Sequence, residues 1–225
     1  MQPQADPFIV PKCHQQIQLV YQDAHLLIIN KPSGLLSLSG KHPLNKDSVH
    51  FRLVQDFPTA LMVHRLDFGT SGLMVIALNK QINKQICEQF SNRSVQKQYQ
   101  AVLDGKVLVS TGEINIPIIK DADHFPLQKV CYQTGKQATS QYQVLGYNPK
   151  NNTTQVQFTP ITGRTHQLRI HSKEIGHPII GCDLYDLNES YFKADRLMLH
   201  ASQLVFTHPV SNEKLEFNLP ANFLA

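Results

Sequence analysis

The spacing of hydrophobic residues changes several times along the chain, and each change marks an element. In IQLVYQDAHLLIINKPSG two short apolar runs flank Gln22-Asp23-Ala24, which predicts two strands, the second ending at Lys31-Pro32-Ser33-Gly34. The stretch LLSLSGKHPLNKDSV breaks all periodicity and reads as a loop; Ser48 then caps a short helix through Val49, Leu53 and Val54 that stops at Pro58. Leu73 to Leu78 is a continuous apolar run, hence a buried strand. After it Asn79 caps a helix whose Ile82, Ile86 and Phe90 repeat at i, i+4 and i+8. From Val95 the period becomes two: Val95, Lys97, Tyr99, Ala101 and Leu103 share one face, opposite Gln96, Gln98, Gln100 and Val102.

Residues 105–160 continue in strand-like alternation, with turns expected at Thr111-Gly112, Thr134-Gly135 and Asn148-Pro149. A further helix is predicted from about Thr165, with Leu168, His171 and Ile175 on one face, Gly176 at its end and Pro178 beyond. Two further strands, LMLHASQLVF and KLEFNL, close the pattern around His208-Pro209. Many strands, few helices and no strand–helix alternation predict an α+β fold on a largely antiparallel sheet. Residues 1–16, with three prolines and few periodic positions, are expected to be an irregular arm ahead of one domain over 17–225.

Composition adds little to this picture. A hydrophobic content of 41% with 17% charged residues supports a packed core, and a net charge of +4 is compatible with an anionic partner. Cys13, Cys87, Cys131 and Cys182 are too widely spaced for a zinc or redox motif, so buried free thiols in a reducing cytosol are expected. The N-terminus lacks a basic segment followed by an apolar one, and no apolar run approaches the roughly 18 residues of a membrane span, so a cytoplasmic protein without a membrane partner is expected.

Chemistry narrows the choice further. No phosphate-cradling glycine motif and no zincin motif is present, and Ser71 does not lie in a hydrolase elbow. His166 and His171 stand five apart, off a common helix face, so no metal site is expected; His166 reads as a hydrogen-bonded residue at a helix start. Three segments remain: HRLDFGTSG at 64–72, Lys97-Gln98-Tyr99, and ITGRTHQLRIH at 161–171 with Arg164, Leu168 and Arg169. Each has a structural reading: Asp67 caps a turn, Tyr99 fills the core, Arg169 is a surface residue. Taken together, a lone acid, two arginines and a ring fit a flat, anionic substrate.

These residues resemble the RluA-type pseudouridine synthases. HRLDFGTSG matches the family's HRLDxxTSG signature, and KPSG at 31–34, KQY at 97–99 and GRTHQLRIHSKEIGHPIIGCD at 163–183 match in order and spacing. The similarity runs from about Leu19 to Phe217, without room for the S4 RNA-binding domain that many members carry ahead of the synthase domain. It is greatest to the branch acting on both 23S rRNA and tRNA stem-loops. The resemblance implies the pseudouridine synthase fold with a central catalytic cleft, and it makes 17–225 the catalytic domain.

It also implies roles. Asp67 is the essential carboxylate, either adding to ribose C1′ or removing a proton from C2′; one acid suffices, where a glycosidase needs two. Arg169 pairs with it and keeps it ionised. Tyr99 stacks on the extruded uracil, Leu168 packs against the base, and Arg65 fills the vacated stack. Lys31, Arg164 and Lys97 are counted as RNA-contacting, although Lys31 either meets phosphate or fixes the catalytic loop. His64, Thr70, Ser71 and Gly72 are read as holding that loop. Neither cofactor nor metal is required, and the chain is expected to work as a monomer on structured RNA. A non-catalytic RNA-binding protein and a nucleoside hydrolase are the rival readings.

Overall fold

The computed structural model describes residues 9–185 and 189–224; the first eight residues of the expected arm lie outside that range. In chain order the elements are β1 (Gln18–Gln22), β2 (Leu26–Lys31), α1 (Val49–Asp56), β3 (Leu61–Met62), β4 (Ser71–Ala77), α2 (Lys80–Ser91), β5 (Gln96–Asp104), β6 (Thr111–Asn115), β7 (Ile118–Lys120), β8 (Gln128–Val130), β9 (Thr139–Asn148), β10 (Thr153–Pro160), α3 (Gln167–Glu174), α4 (Glu189–Phe192), β11 (Leu199–Thr207) and β12 (Lys214–Asn218). They divide into two compact units. The first runs to Val95 and includes Leu204–Leu219; the second comprises Gln96–Gln203 and the C-terminal end.

In the first unit β2 pairs antiparallel with β1 and with β4. Strand β4 is buried at every position, as its unbroken apolar run requires, and Leu26 to Ile29 of β2 are fully buried too. Their core takes in Ile82 and Ile86 of α2, Val95, Leu204 and Phe206. Both helices start where the side-chain pattern placed them: Ser48 Oγ accepts from Phe51 N at 3.1 Å, and Asn79 Oδ1 accepts from Ile82 N at 3.0 Å. The β2–β4 register sets Lys31 opposite Gly72, so the KPSG turn and the TSG end of the signature leave the sheet side by side.

In the second unit β5, β10, β9 and β6 form consecutive antiparallel pairs. Their core joins Ala101, Leu103, Val156 and Phe158 to Leu168 of α3. The turn expected at Thr111-Gly112 is instead the start of β6, with Gly112 paired to Tyr142. A Cβ there would stand 2.6 Å from the Tyr142 ring, so the glycine is a packing accommodation in a strand and not a reversal. Of the four cysteines, all free, only Cys182 is buried; the others lie on loops and a helix face that their short side chains leave half open. Among the described residues no helix is long and apolar enough to cross a membrane.

Candidate active site

The signature loop is fixed from outside, by the segment that follows β2. Lys31 has no exposed surface, and its ammonium donates to the carbonyls of Pro32 at 2.9 Å, Leu35 at 2.7 Å and Phe68 at 3.2 Å. Ser33 Oγ donates to Gly69 O at 2.7 Å, and Gly34 N to Phe68 O at 2.9 Å. Gly34 can do so because its φ is +74°, a conformation other residues adopt at a cost. Ser37 Oγ donates to Leu66 O at 2.7 Å and accepts from Leu66 N at 3.1 Å.

The backbone on both sides of Asp67 is therefore tied down, and Thr70 N closes the turn onto Asp67 O at 3.1 Å. His64 Nε2 accepts from Val75 N at 3.1 Å, which makes it the neutral Nδ1–H tautomer, and its ring stacks on Phe90 at 4.6 Å. Between these anchors Arg65 is exposed, Leu66 is buried and Asp67 is half-buried.

The second unit carries the other candidates. Tyr99 lies opposite Phe158 in the sheet and packs on the cluster containing Leu168, whose side chain is nearly buried. Lys97, two residues earlier on β5, has its pKa pushed down by burial. Its Nζ is 4.0 Å from where a side chain at Gly163 would begin. Arg169 is 3% exposed and bonds Asp183; its Nε meets Cys182 Sγ at 3.3 Å and its guanidinium lies 5.4 Å from the Tyr185 ring centre. A buried arginine thus has both a carboxylate and a ring to offset its lost hydration.

The start of α3 is held by hydrogen bonds whose directions interlock. Gln167 Oε1 accepts from Thr162 Oγ1 at 2.7 Å and from Arg164 N at 2.9 Å, while its Nε2 donates to Thr139 O and Ser140 Oγ. The Ser140 hydroxyl is then left to donate to His171 Nδ1 at 3.0 Å, and His171 Nε2 donates to Ile116 O at 3.1 Å. That order requires a neutral His171, and burial pushes its pKa down accordingly. Arg164 is half-buried, with Nε on Gln137 O at 3.0 Å. His166 caps the helix in the left-handed region at φ 56°, its ring nitrogen on the Tyr185 hydroxyl.

Among the described residues no group of three or more His, Cys, Asp and Glu is arranged to hold a metal ion. A model of the RNA pseudouridylate synthase family matches residues 25–174, which include all eight candidate site residues. The chain belongs to that family. It is an isomerase of this class, with an α+β pseudouridine synthase fold.

Known members of the family are similar over nearly the full length. The dual-specificity RNA pseudouridine synthase RluA of Haemophilus ducreyi is 47% identical over 216 residues, covering 95% of this chain and 97% of that protein. Its Escherichia coli K12 namesake is 45% identical over 205 residues, 91% and 93% respectively. The structure of human RNA pseudouridylate synthase domain containing 1 superposes with a TM-score of 0.80 at 28% identity, over 95% of this chain and 86% of that one.

Lys31, expected either to meet phosphate or to fix the catalytic loop, has its ammonium enclosed, with a carbonyl for each of its three protons, Phe68 O of that loop among them. Sequence reasoning missed Ser37, Gln167, Ser140 and Asp183, which hold the site residues. Gln167 lies within the motif, but its partners come from β9 and from Thr162, contacts that strand register alone creates.

Proposed function

We propose that this synthase isomerises uridines in both 23S rRNA and tRNA stem-loops, working as a single chain, with Asp67 as its catalytic carboxylate. The observation that carries the reading is the fixed backbone around that residue. The carbonyls of Leu66, Phe68 and Gly69 each accept from the 31–37 segment, so the loop is aimed before substrate arrives. The relatives named as dual-specificity RNA pseudouridine synthases support two kinds of RNA substrate.

Isomerisation breaks the bond from ribose C1′ to uracil N1, turns the base, joins C1′ to C5, releases the C5 proton and leaves N1 carrying a proton in its place. Asp67 acts on the ribose to open the first bond. Arg169 supplies positive charge to the site, and Tyr99 and Leu168 hold the uracil. Arg65, exposed on the loop, takes the place of the extruded base, offsetting an unstacking cost of roughly a few kcal/mol. Arg164 and Lys97 add positive charge for the RNA backbone. The test is release of tritium from uracil C5 in a labelled anticodon stem-loop and a 23S rRNA fragment. Release from both RNAs is expected; release from one alone would remove the dual specificity, and release from neither would remove the catalytic reading.

A further inference from the structure

In the first unit, residues 10–14, the turn around Pro43–Asn45 and the start of α1 enclose an open cavity of about 670 Å³. That is within the roughly 300–1,000 Å³ of ligand sites. Its walls are fastened. Arg52 donates to Cys13 O and Gln15 O, each at 2.6 Å, and Val10 N donates to buried Asn45 Oδ1 at 2.9 Å. Its floor is Gly34–Leu36, continuous with the segment that pins the Asp67 loop.

The charges in the lining do not balance. Arg52 grips Asp47 through Nε at 2.7 Å and through its NH2 nitrogen at 2.6 Å, and that contact holds the Asp47 carboxyl below its usual range. This pair cancels internally. Lys12 and Lys46 remain, both exposed, with His14 beside them. Among the apolar side chains of the lining, Phe51 is 42% exposed and Leu44 67% exposed. Two cations beside an accessible ring is the arrangement by which proteins hold unpaired nucleotides, the cations on phosphate and the ring against a base.

We propose that this cavity binds an unpaired nucleotide of the substrate RNA other than the target uridine, its flanking phosphates on Lys12 and Lys46 and its base on Phe51. The proposal rests on the RNA-modifying function above. It gives the synthase a second point of attachment, built on the same 31–37 segment that fixes the catalytic loop.

Binding of a labelled anticodon stem-loop to the full chain, measured across a salt series, tests it, with C5 tritium release in parallel. Each single-strand phosphate contact contributes about 0.7 to the salt slope. Lys12→Ala/Lys46→Ala should therefore lower the slope by about 1.4 and weaken binding roughly 10- to 30-fold at about 0.1 M salt, raising KM with little change in kcat. Phe51→Leu keeps apolar volume and should weaken binding about fivefold or more while leaving the slope as in wild type. Wild-type affinity and slope in both variants would overturn the proposal. So would loss of binding to uridine monophosphate with the RNA isotherm unchanged, which would assign a small-anion site instead. A wild-type chain that neither binds nor turns over RNA would overturn the proposed function itself.

Discussion

Around Asp67, side chains reach in from residues 31–37 and grip backbone carbonyls; ahead of Arg169, side chains grip one another. The first arrangement places a full positive charge, Lys31, where no water reaches, and satisfies it with three carbonyl dipoles. The second is a neutral chain from Arg164 N to Ile116 O in which every proton has one direction. A buried charge holds strongly, and removing it strands the carbonyls that have no other donor, here Pro32 O and Leu35 O among the bonds described, while Phe68 O keeps the Gly34 N–H. A directional chain holds less strongly, but one added proton reverses a link in it. The two regions should therefore fail differently.

The largest effect should come at the residue the first arrangement serves. Asp67→Asn keeps the shape and removes the charge, so turnover in the tritium-release assay should fall below about 10⁻⁴ of wild type, the scale of losing a catalytic group. Its melting temperature should stay within a few degrees of wild type. An unfolded variant, or one that keeps appreciable activity, would remove Asp67 from the chemistry. Lys31→Met should be next, destabilising the chain by about 3–5 kcal/mol in urea titrations, since buried carbonyls lose their donors at about 1–3 kcal/mol each. A loss under 1 kcal/mol would mean that the buried ammonium is not what holds the loop.

Gln167→Met should cost less, about 2–3 kcal/mol: the Thr162 hydroxyl and the Arg164 N–H lose their acceptor, whereas Thr139 O keeps the Ile161 N–H and the Ser140 hydroxyl keeps His171. If it cost as much as Lys31→Met, the contrast between charged and neutral fixing would collapse. The smallest effect should be the pH dependence. The folded-state pKa of His171 lies below its unfolded value of about 6.5, so the unfolded chain takes up a proton first as pH falls. The stability due to its neutral form is complete at higher pH and declines below about 6.5. Melting temperatures between about pH 7.5 and 5.5 should show this decline in wild type and a shallower one in His171→Gln; parallel curves would exclude His171 as its source.

Much of the first unit was legible because its signals are local. Ser48 and Asn79 bond within three residues, and the run from Leu73 makes a strand wherever it is packed. Gly176 likewise ends α3 in the left-handed conformation expected of it. Elements that exist only through distant pairing were not legible. Strand β3 is two residues long and is defined by β4, and Gly112 resembles a turn until Tyr142 is set opposite it. The site divides the same way. Asp67, Tyr99 and Arg169 stand out as residue types in motifs. The groups that hold them, Ser37 for Leu66 and Asp183 for Arg169, lie 29 and 14 residues away and carry no pattern of their own.

The Arg52 clasp has a kinetic consequence. Ordering a stretch of chain costs roughly 1–2 kcal/mol per residue, and the stretch from Val10 to Gln15 is offset mainly by two carbonyl bonds to one guanidinium and one bond to Asn45. Its backbone amides should exchange with solvent well before those of β2 and β4, through a local opening that leaves the sheet intact. Each such opening removes a wall of the Lys12–Phe51 cavity. RNA held there would slow the exchange of residues 10–15, so the protection of this short stretch would report occupancy of the cavity directly, amide by amide.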